Sequence, residues 1–372
     1  MKQNLRKNIV SSYNDALYFS LMVGAGETYL AAFVLSQGYS DLLAGWITSF
    51  PLIAGGILQM VSPAMVNRMG SIKRWVVFTA FAQALVLFAL AIQAQIGFNS
   101  YVLIFILASL YWGSGMANGP AWNAWMGSLI PFNMRTSFFS VRNMISHASV
   151  LGGILLGGWC LHMGESGDNT HRFSFLILFG GAGICRLIST YFLYRQSEAN
   201  SSGIRDDKIP DQKSLKDWFR IFKQWQGQEV GKLLVFMFVL GIGVHFGAGF
   251  FTPYMLNKIK MSYNEYAIML GTALIARVFT LFFLKHYLSK WRSERVLLVS
   301  VLGIVPLPIL WNLSHDFYYL LSLQFLSGAA WGTYELVTFL FIFNGIPFQD
   351  KTSLLSLFNL LQTIAILIGA SV

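Results

Sequence analysis

Long apolar blocks, separated by short polar and often basic breaks, run the length of the chain. They cover roughly 11–36, 42–66, 75–95, 100–130, 137–161, 172–194, 230–256, 264–286, 295–312, 318–346 and 351–372. Wound as α-helix, such blocks are long enough to cross about 30 Å of hydrocarbon, and the longer ones have room to tilt. The pattern predicts an all-α polytopic membrane protein with an N-terminal six-helix bundle over 1–195, a polar linker over 196–229 and a C-terminal bundle of five visible helices over 230–372. Inside the linker, Leu215, Trp218, Phe219, Phe222 and Trp225 follow helical spacing opposite Lys216, Arg220 and Lys223, and Ser214 with Asp217 is placed as a capping pair. A short amphipathic helix on the cytoplasmic surface is expected there.

Composition agrees with a lipid solvent: 55% of the residues are hydrophobic and only 11% are charged, too few to clothe a water-soluble fold of this length. Met1 to Asn8 is basic, but no short apolar core with a cleavage site follows, so the first span is expected to stay in the protein. Charge then sets the topology. With the N-terminus cytoplasmic, only Arg172, Lys258 and Lys260 of the 26 Lys and Arg fall outside, and Arg186 and Arg277 lie within spans. The positive-inside rule selects that orientation. It also accounts for the net charge of +10 through separate loops instead of one basic face, so nucleic acid is not an expected partner.

A second pattern is superposed on the blocks. Ile130-Pro131-Phe132 recurs as Ile346-Pro347-Phe348, and at the same offset Thr136, Ser137, Ser140 and Asn143 recur as Thr352, Ser353, Ser356 and Asn359. Each copy sits between two long apolar helices, so the repeating unit is a whole membrane bundle, and two related bundles in one chain point to a transporter. The same offset carries the end of the sixth span about forty residues beyond Val372, so the complete fold is expected to hold about twelve spans. A truncated gene, a piece of a longer chain and a natural eleven-span form all fit this pattern.

The loop between spans two and three reads Val66-Asn67-Arg68-Met69-Gly70-Ser71-Ile72-Lys73-Arg74. Together with the six-plus-five architecture, the basic central loop and the repeat, it resembles the major facilitator superfamily of secondary transporters, whose loop signature is an Asp-Arg-x-Gly-Arg-Arg type run. Arg68 and Gly70 keep their places, Asn67 stands where the acid is expected, and Ser71-Ile72 delay the basic pair Lys73-Arg74. The equivalent loop in the second half, Lys290 to Arg295, retains only basic charge. Asn118-Gly119-Pro120-Ala121-Trp122-Asn123-Ala124-Trp125-Met126 through Arg135 and Arg142-Asn143, with Gly24-Ala25-Gly26-Glu27-Thr28-Tyr29 in span one, resembles a bacterial branch whose members are mostly known only as transporters. This implies the bacterial inner membrane. Gly153-Ile154-Leu155-Leu156-Gly157-Gly158 has the glycines but not the proline of the run that antiporters of the superfamily often carry, so import and export both stay open.

The resemblance implies alternating access, with two bundles rocking about a cavity lined by spans one, four, seven and ten. Each of those spans has a polar residue within about five residues of its midpoint: Glu27, Asn118, His245 and Glu335. An ionisable group at that depth costs on the order of 2.5–3.5 kcal/mol, which is why it usually faces a cavity or a partner. A carboxyl in a poorly hydrated cavity takes its neutral form more readily, so Glu27 and Glu335 are candidate proton carriers. Arg277, in span eight, is the expected counter-ion of Glu335, and a permanent pair would make Glu335 structural. Trp122 and Tyr334 are placed to stand beside a solute, and Trp125 and Trp331 lie near them. His245 reads equally as a site group or a packing residue. Arg186 is expected to snorkel to the cytoplasmic surface, and Asp15 to be solvated or to cap span one. The glycines of spans one and five are expected to allow close helix contact.

Enzyme signals are thin. No Walker-type loop is present, Cys160 and Cys185 are too few for a metal cluster, and the six His show no ligand spacing. The expectation is a proton-coupled carrier of a small organic solute, working as a monomer in the bilayer without cofactor or metal. A non-transporting remnant and a polytopic enzyme acting on a lipid-linked substrate are the alternatives.

Overall fold

The computed structural model describes residues 2–97, 100–164, 168–198, 229–287, 293–345, 361–362, 364–366 and 368–369. The expected linker helix over 214–225, the second repeat copy from Ile346 to Asn359, the basic positions Lys290 and Arg292, and most of the eleventh span lie outside the described residues.

Every regular element among the described residues is helical. In chain order they are α1 (Lys2–Ala25), a 3-10 turn (Glu27–Tyr29), α2 (Leu30–Ser36), α3 (Asp41–Met69), α4 (Ile72–Ile96), α5 (Tyr101–Leu129), α6 (Phe132–Met163) and α7 (Asp168–Arg195). After the linker come α8 (Glu229–Ala248), α9 (Phe251–Pro253), a π-turn (Tyr254–Lys258), α10 (Tyr263–Tyr287), α11 (Ser293–Ile304), α12 (Leu307–Leu310) and α13 (Phe317–Gly345). Eight helical stretches among the described residues are long and apolar enough to cross a membrane.

Helix ends fall close to most of the predicted spans, because hydrocarbon thickness dictates them, and three departures have a visible cause. α1 begins at Lys2 instead of near residue 11, since Leu5, Ile9 and Tyr13, four residues apart, pack on the cluster of Val66, Trp75, Trp125 and Phe138. Span one breaks at Gly26, where the 3-10 turn swings Glu27 and Tyr29 toward neighbouring helices. Span nine is interrupted at Val305-Pro306, because proline offers no N–H and disfavours helix in the residue before it.

Contacts divide the described chain into two units. The first holds the residues up to α7 with His245–Asn264 and the residues from Ile366 onward; the second holds those of Lys213–Val244 and Glu265–Ala365. In the first unit α3 packs on α5, α4 on α5 and α7, and α1 on α6 and α7. Polar side chains fasten these helices from within. Ser62 Oγ donates to Ala117 O at 2.8 Å and receives the Trp75 indole N–H at 2.8 Å, tying α3, α4 and α5 at one point. The loop signature has a structural job as well: Gly70 takes a left-handed φ of 64°, and Ser71 caps α4 by accepting Arg74 N–H at 3.2 Å. Ser71 also donates to the Glu198 carboxylate, and Lys73 Nζ lies 5.0 Å from the Tyr194 ring centroid, so the loop grips the end of α7. Asn67, Arg68 and Arg74 are exposed.

Glycine sets the closest approach, as expected for spans one and five. A Cβ on Gly24 would lie 2.2 Å from Val150 O, and one on Gly153 would lie 2.6 Å from Leu21 O, so α1 and α6 touch backbone to backbone. In the second unit Gly328 does the same against Ala273 O at 2.1 Å, joining α13 to α10. Gly24→Val is therefore expected to destabilise the purified protein by about 1–3 kcal/mol through overpacking. Gly180→Ala, where an added Cβ meets nothing within 4 Å, should leave the melting temperature nearly unchanged. Equal thermal melts for the two variants would show that the α1–α6 contact is not tight.

Candidate functional site

The densest polar arrangement among the described residues joins α1, α6 and α7 inside the first unit. α1 presents Asp15 and Phe19 one turn apart, α6 supplies Arg142, and α7 supplies Arg186 and Ser189, which at a spacing of three share a face. Arg142 Nη2 stands 3.2 Å from Asp15 Oδ2. Ser189 Oγ donates to Asp15 Oδ1 at 2.8 Å and accepts from Arg186 Nη1 at 2.9 Å, so its one proton is committed to the carboxylate and one lone pair to the guanidinium. Aromatic faces complete the solvation of the cations: Arg142 Cζ lies 4.0 Å from the Trp122 ring centroid and Arg186 Cζ lies 4.7 Å from that of Phe19.

Two expectations are corrected here. Asp15 is 2% exposed and Arg186 is 3% exposed, so Asp15 is not solvated and Arg186 does not snorkel to a surface. Asp15 is accommodated by Arg142 and Ser189 on two other helices, and Arg186 by Ser189 on its own helix and the Phe19 ring of α1, relations that single-residue depth does not reveal. Arg142 and Ser189 were not candidates at all. The available signal was the similar depth of one acid and two Arg on spans one, five and six, near the ends that share the N-terminal side.

One stripe of α5 forms the opposite wall. Gly115, Asn118, Gly119 and Trp122, with Asp15, Phe19, Arg142, Arg186 and Leu193, line a cavity with about 500 Å³ of empty space, part of it open to solvent. Asn118 Nδ2 is committed to α4, donating to Val76 O at 2.9 Å and Thr79 Oγ1 at 3.0 Å, so it joins helices while standing in the wall. Trp122 faces the space, whereas Trp125 is fully buried with its indole N–H on Ser197 O at 3.1 Å. Three buried donors at the cavity have no hydrogen-bond partner among the described residues: Nε of Arg142, Nε of Arg186 and Nε1 of Trp122.

Glu27 lies outside this wall, farther along the same α5 stripe. Tyr111, fully buried, donates its hydroxyl to Glu27 Oε2 at 2.8 Å, with Met22 Sδ 3.1 Å from the same hydroxyl oxygen. Tyr29, two residues beyond Glu27, is anchored to Ile154 O at 2.6 Å and holds the broken segment on α6. Among the described residues no cation pairs with Glu27.

The second unit places Arg277 on α10 with Nη2 3.3 Å from Glu335 Oε1 on α13. Gly332 makes room for it, lying where a Cβ would come within 2.8 Å of Arg277 Cγ. The pair is half in the open, with side-chain exposures of 29% and 55%. Tyr334 packs with Leu233, Leu234, Met237, Ile304 and Ala330, its ring set edge-on to Trp331 at 5.6 Å. His245, half-buried in the last turn of α8, groups with the first unit but does not line the cavity. Of the residues picked from sequence, the structure thus brings Asn118 and Trp122 to one cavity, Glu27 to the same helix stripe, and Arg277 to Glu335. Among the described residues no three His, Cys, Asp or Glu side chains are grouped as a metal site.

Known structures share this arrangement of helices. A point mutant of the nucleoside transporter NupG superposes with a TM-score of 0.77 at 12% identity, over 98% of this chain and 89% of that one. A D-xylose-proton symporter gives 0.70 at 14% identity over 99% and 89%. A bacterial homologue of the iron transporter ferroportin in its inward-facing state gives 0.68 at 14% identity over 100% and 91%. At such identities the likeness concerns the fold. No curated protein matches the chain significantly. The sequence profile of the Major Facilitator Superfamily, however, matches residues 15–370, nearly the full length. The chain is a multi-pass membrane protein belonging to the Major Facilitator Superfamily, a family of transporters and not of enzymes.

Proposed function

We propose that this protein carries a small organic solute across the bacterial inner membrane by alternating access, driven by protons, with Glu27 as the proton carrier. The observation that carries the assignment is the contrast among three acids. Asp15 is held by Arg142 and Ser189, and Glu335 by Arg277, so each has a cationic partner. Glu27 has the Tyr111 hydroxyl and no cation among the described residues. A hydroxyl can accept from a protonated carboxyl or donate to an ionised one, so this environment serves both states and locks neither. The position also suits gating, since Glu27 sits at the break of span one, where a change of charge bears on two helix segments at once.

The Arg277–Glu335 pair supports a structural role for Glu335. That a nucleoside transporter and a sugar–proton symporter share the fold supports an organic solute and a proton as cargo.

Proteoliposomes incubated in a bacterial metabolite extract under an imposed pH gradient test the reading, with lumenal contents read by mass spectrometry. The wild type is expected to accumulate at least one solute, and a protonophore should abolish the accumulation. Glu27→Gln should lower it at least about tenfold while leaving solute exchange, and Tyr111→Phe should slow it without abolishing it. No gradient-dependent solute, or accumulation unchanged in Glu27→Gln, would overturn the assignment.

A further inference from the structure

Arg186 presents an imbalance. It is 3% exposed within a membrane bundle, yet among the described residues no carboxylate stands within ion-pair distance of it. Its guanidinium meets the Ser189 hydroxyl at 2.9 Å and the face of the Phe19 ring. Asp15 supplies one negative charge to the cavity wall, and its closest cation is Arg142. Arg142 and Arg186 against Asp15 leave one positive charge uncompensated among the lining residues. An isolated buried cation is expensive by several kcal/mol, and each unmet buried donor adds about 1–3 kcal/mol. The molecule retains both costs at one place: Nε of Arg186, Nε of Arg142 and Nε1 of Trp122 are buried, have no partner among the described residues, and belong to side chains that line the same empty space.

We propose that this cavity is an oxyanion site, and that the solute therefore carries a carboxylate or a phosphate group. The inference rests on the reading of the chain as a solute carrier and names the class of its cargo. A planar guanidinium offers its Nε–H and Nη–H donors in a fork that suits two oxygens of such a group. The indole N–H of Trp122 supplies a further donor, and a single negative charge balances the wall. Asp15 has a defined part: it fixes Arg142 and, through Ser189, Arg186, so both cations are in place before the ligand arrives. Gly119 leaves the space open, since a Cβ there would meet nothing within 4 Å.

The test uses the full chain purified in a neutral detergent, without any gradient. Propionate, inorganic phosphate and methyl phosphate are each added at about 20 mM, with chloride at matched ionic strength and propionamide as controls. At least one oxyanion is expected to raise the melting temperature by about 2–5 °C over both controls, as ligand linkage requires for millimolar affinity. The carboxylate and phosphate arms distinguish the two chemistries. Arg186→Gln should remove the shift and Arg186→Lys should weaken it. Gly119→Leu, which fills the cavity and leaves every charge in place, should remove it too and decides the matter if Arg186→Gln does not fold. No shift with any of the three anions, or a shift that survives both Arg186→Gln and Gly119→Leu, overturns the proposal. Because binding is read without a gradient, its failure alongside intact proton-driven accumulation sinks only the anion site. Binding without proton-driven accumulation sinks only the coupling.

Discussion

A charge placed in hydrocarbon must find a partner, and the organisation of the first unit follows from that constraint. Asp15, Arg142, Ser189 and Arg186 come from three helices and meet in one network. None of those helices could bury its own charge at acceptable cost alone. The network does more than neutralise. It specifies which faces of α1, α6 and α7 meet, a task that apolar packing in lipid performs weakly because lipid tails are as apolar as leucine. Close approach through Gly24 and Gly153 then brings α1 and α6 near enough for a short side chain such as Asp15 to reach across.

The same constraint separates three kinds of acid. Asp15 and Glu335 each meet a guanidinium, whereas Glu27 meets the Tyr111 hydroxyl. The α5 stripe running from Tyr111 through Gly115 and Asn118 to Trp122 connects the two regimes along one rigid element. Whatever moves α5 relative to α1 acts on the Glu27 contact and on the cavity wall together.

Much of the fold was legible because lipid thickness imposes helix length, and the helices of the first six spans end within a few residues of the apolar blocks. The extension of α1 to Lys2 was not, since Leu5 and Ile9 look unremarkable in a basic segment until the cluster they cover is known. Pro306 marks its own break by its chemistry, whereas the break at Gly26 depends on which neighbours receive Glu27 and Tyr29. In the site, Asn118 and Trp122 were found by depth and chemical type. Asp15 and Arg186 were misjudged for a physical reason: the energy of a buried charge is a property of a pair, and the pair here is spread over spans one, five and six. Weighing the three charges jointly by depth would have exposed it.

The central claim is that Asp15 and Arg142 are energetically coupled inside the membrane. A double-mutant cycle on melting temperature tests it directly, using Asp15→Asn, Arg142→Gln and the combined variant of the purified protein. The account predicts that each single change leaves a charge stranded and lowers the melting temperature sharply, while the double variant recovers a large part of the loss. Strictly additive losses would contradict the account, because they would mean that the two residues do not sense each other.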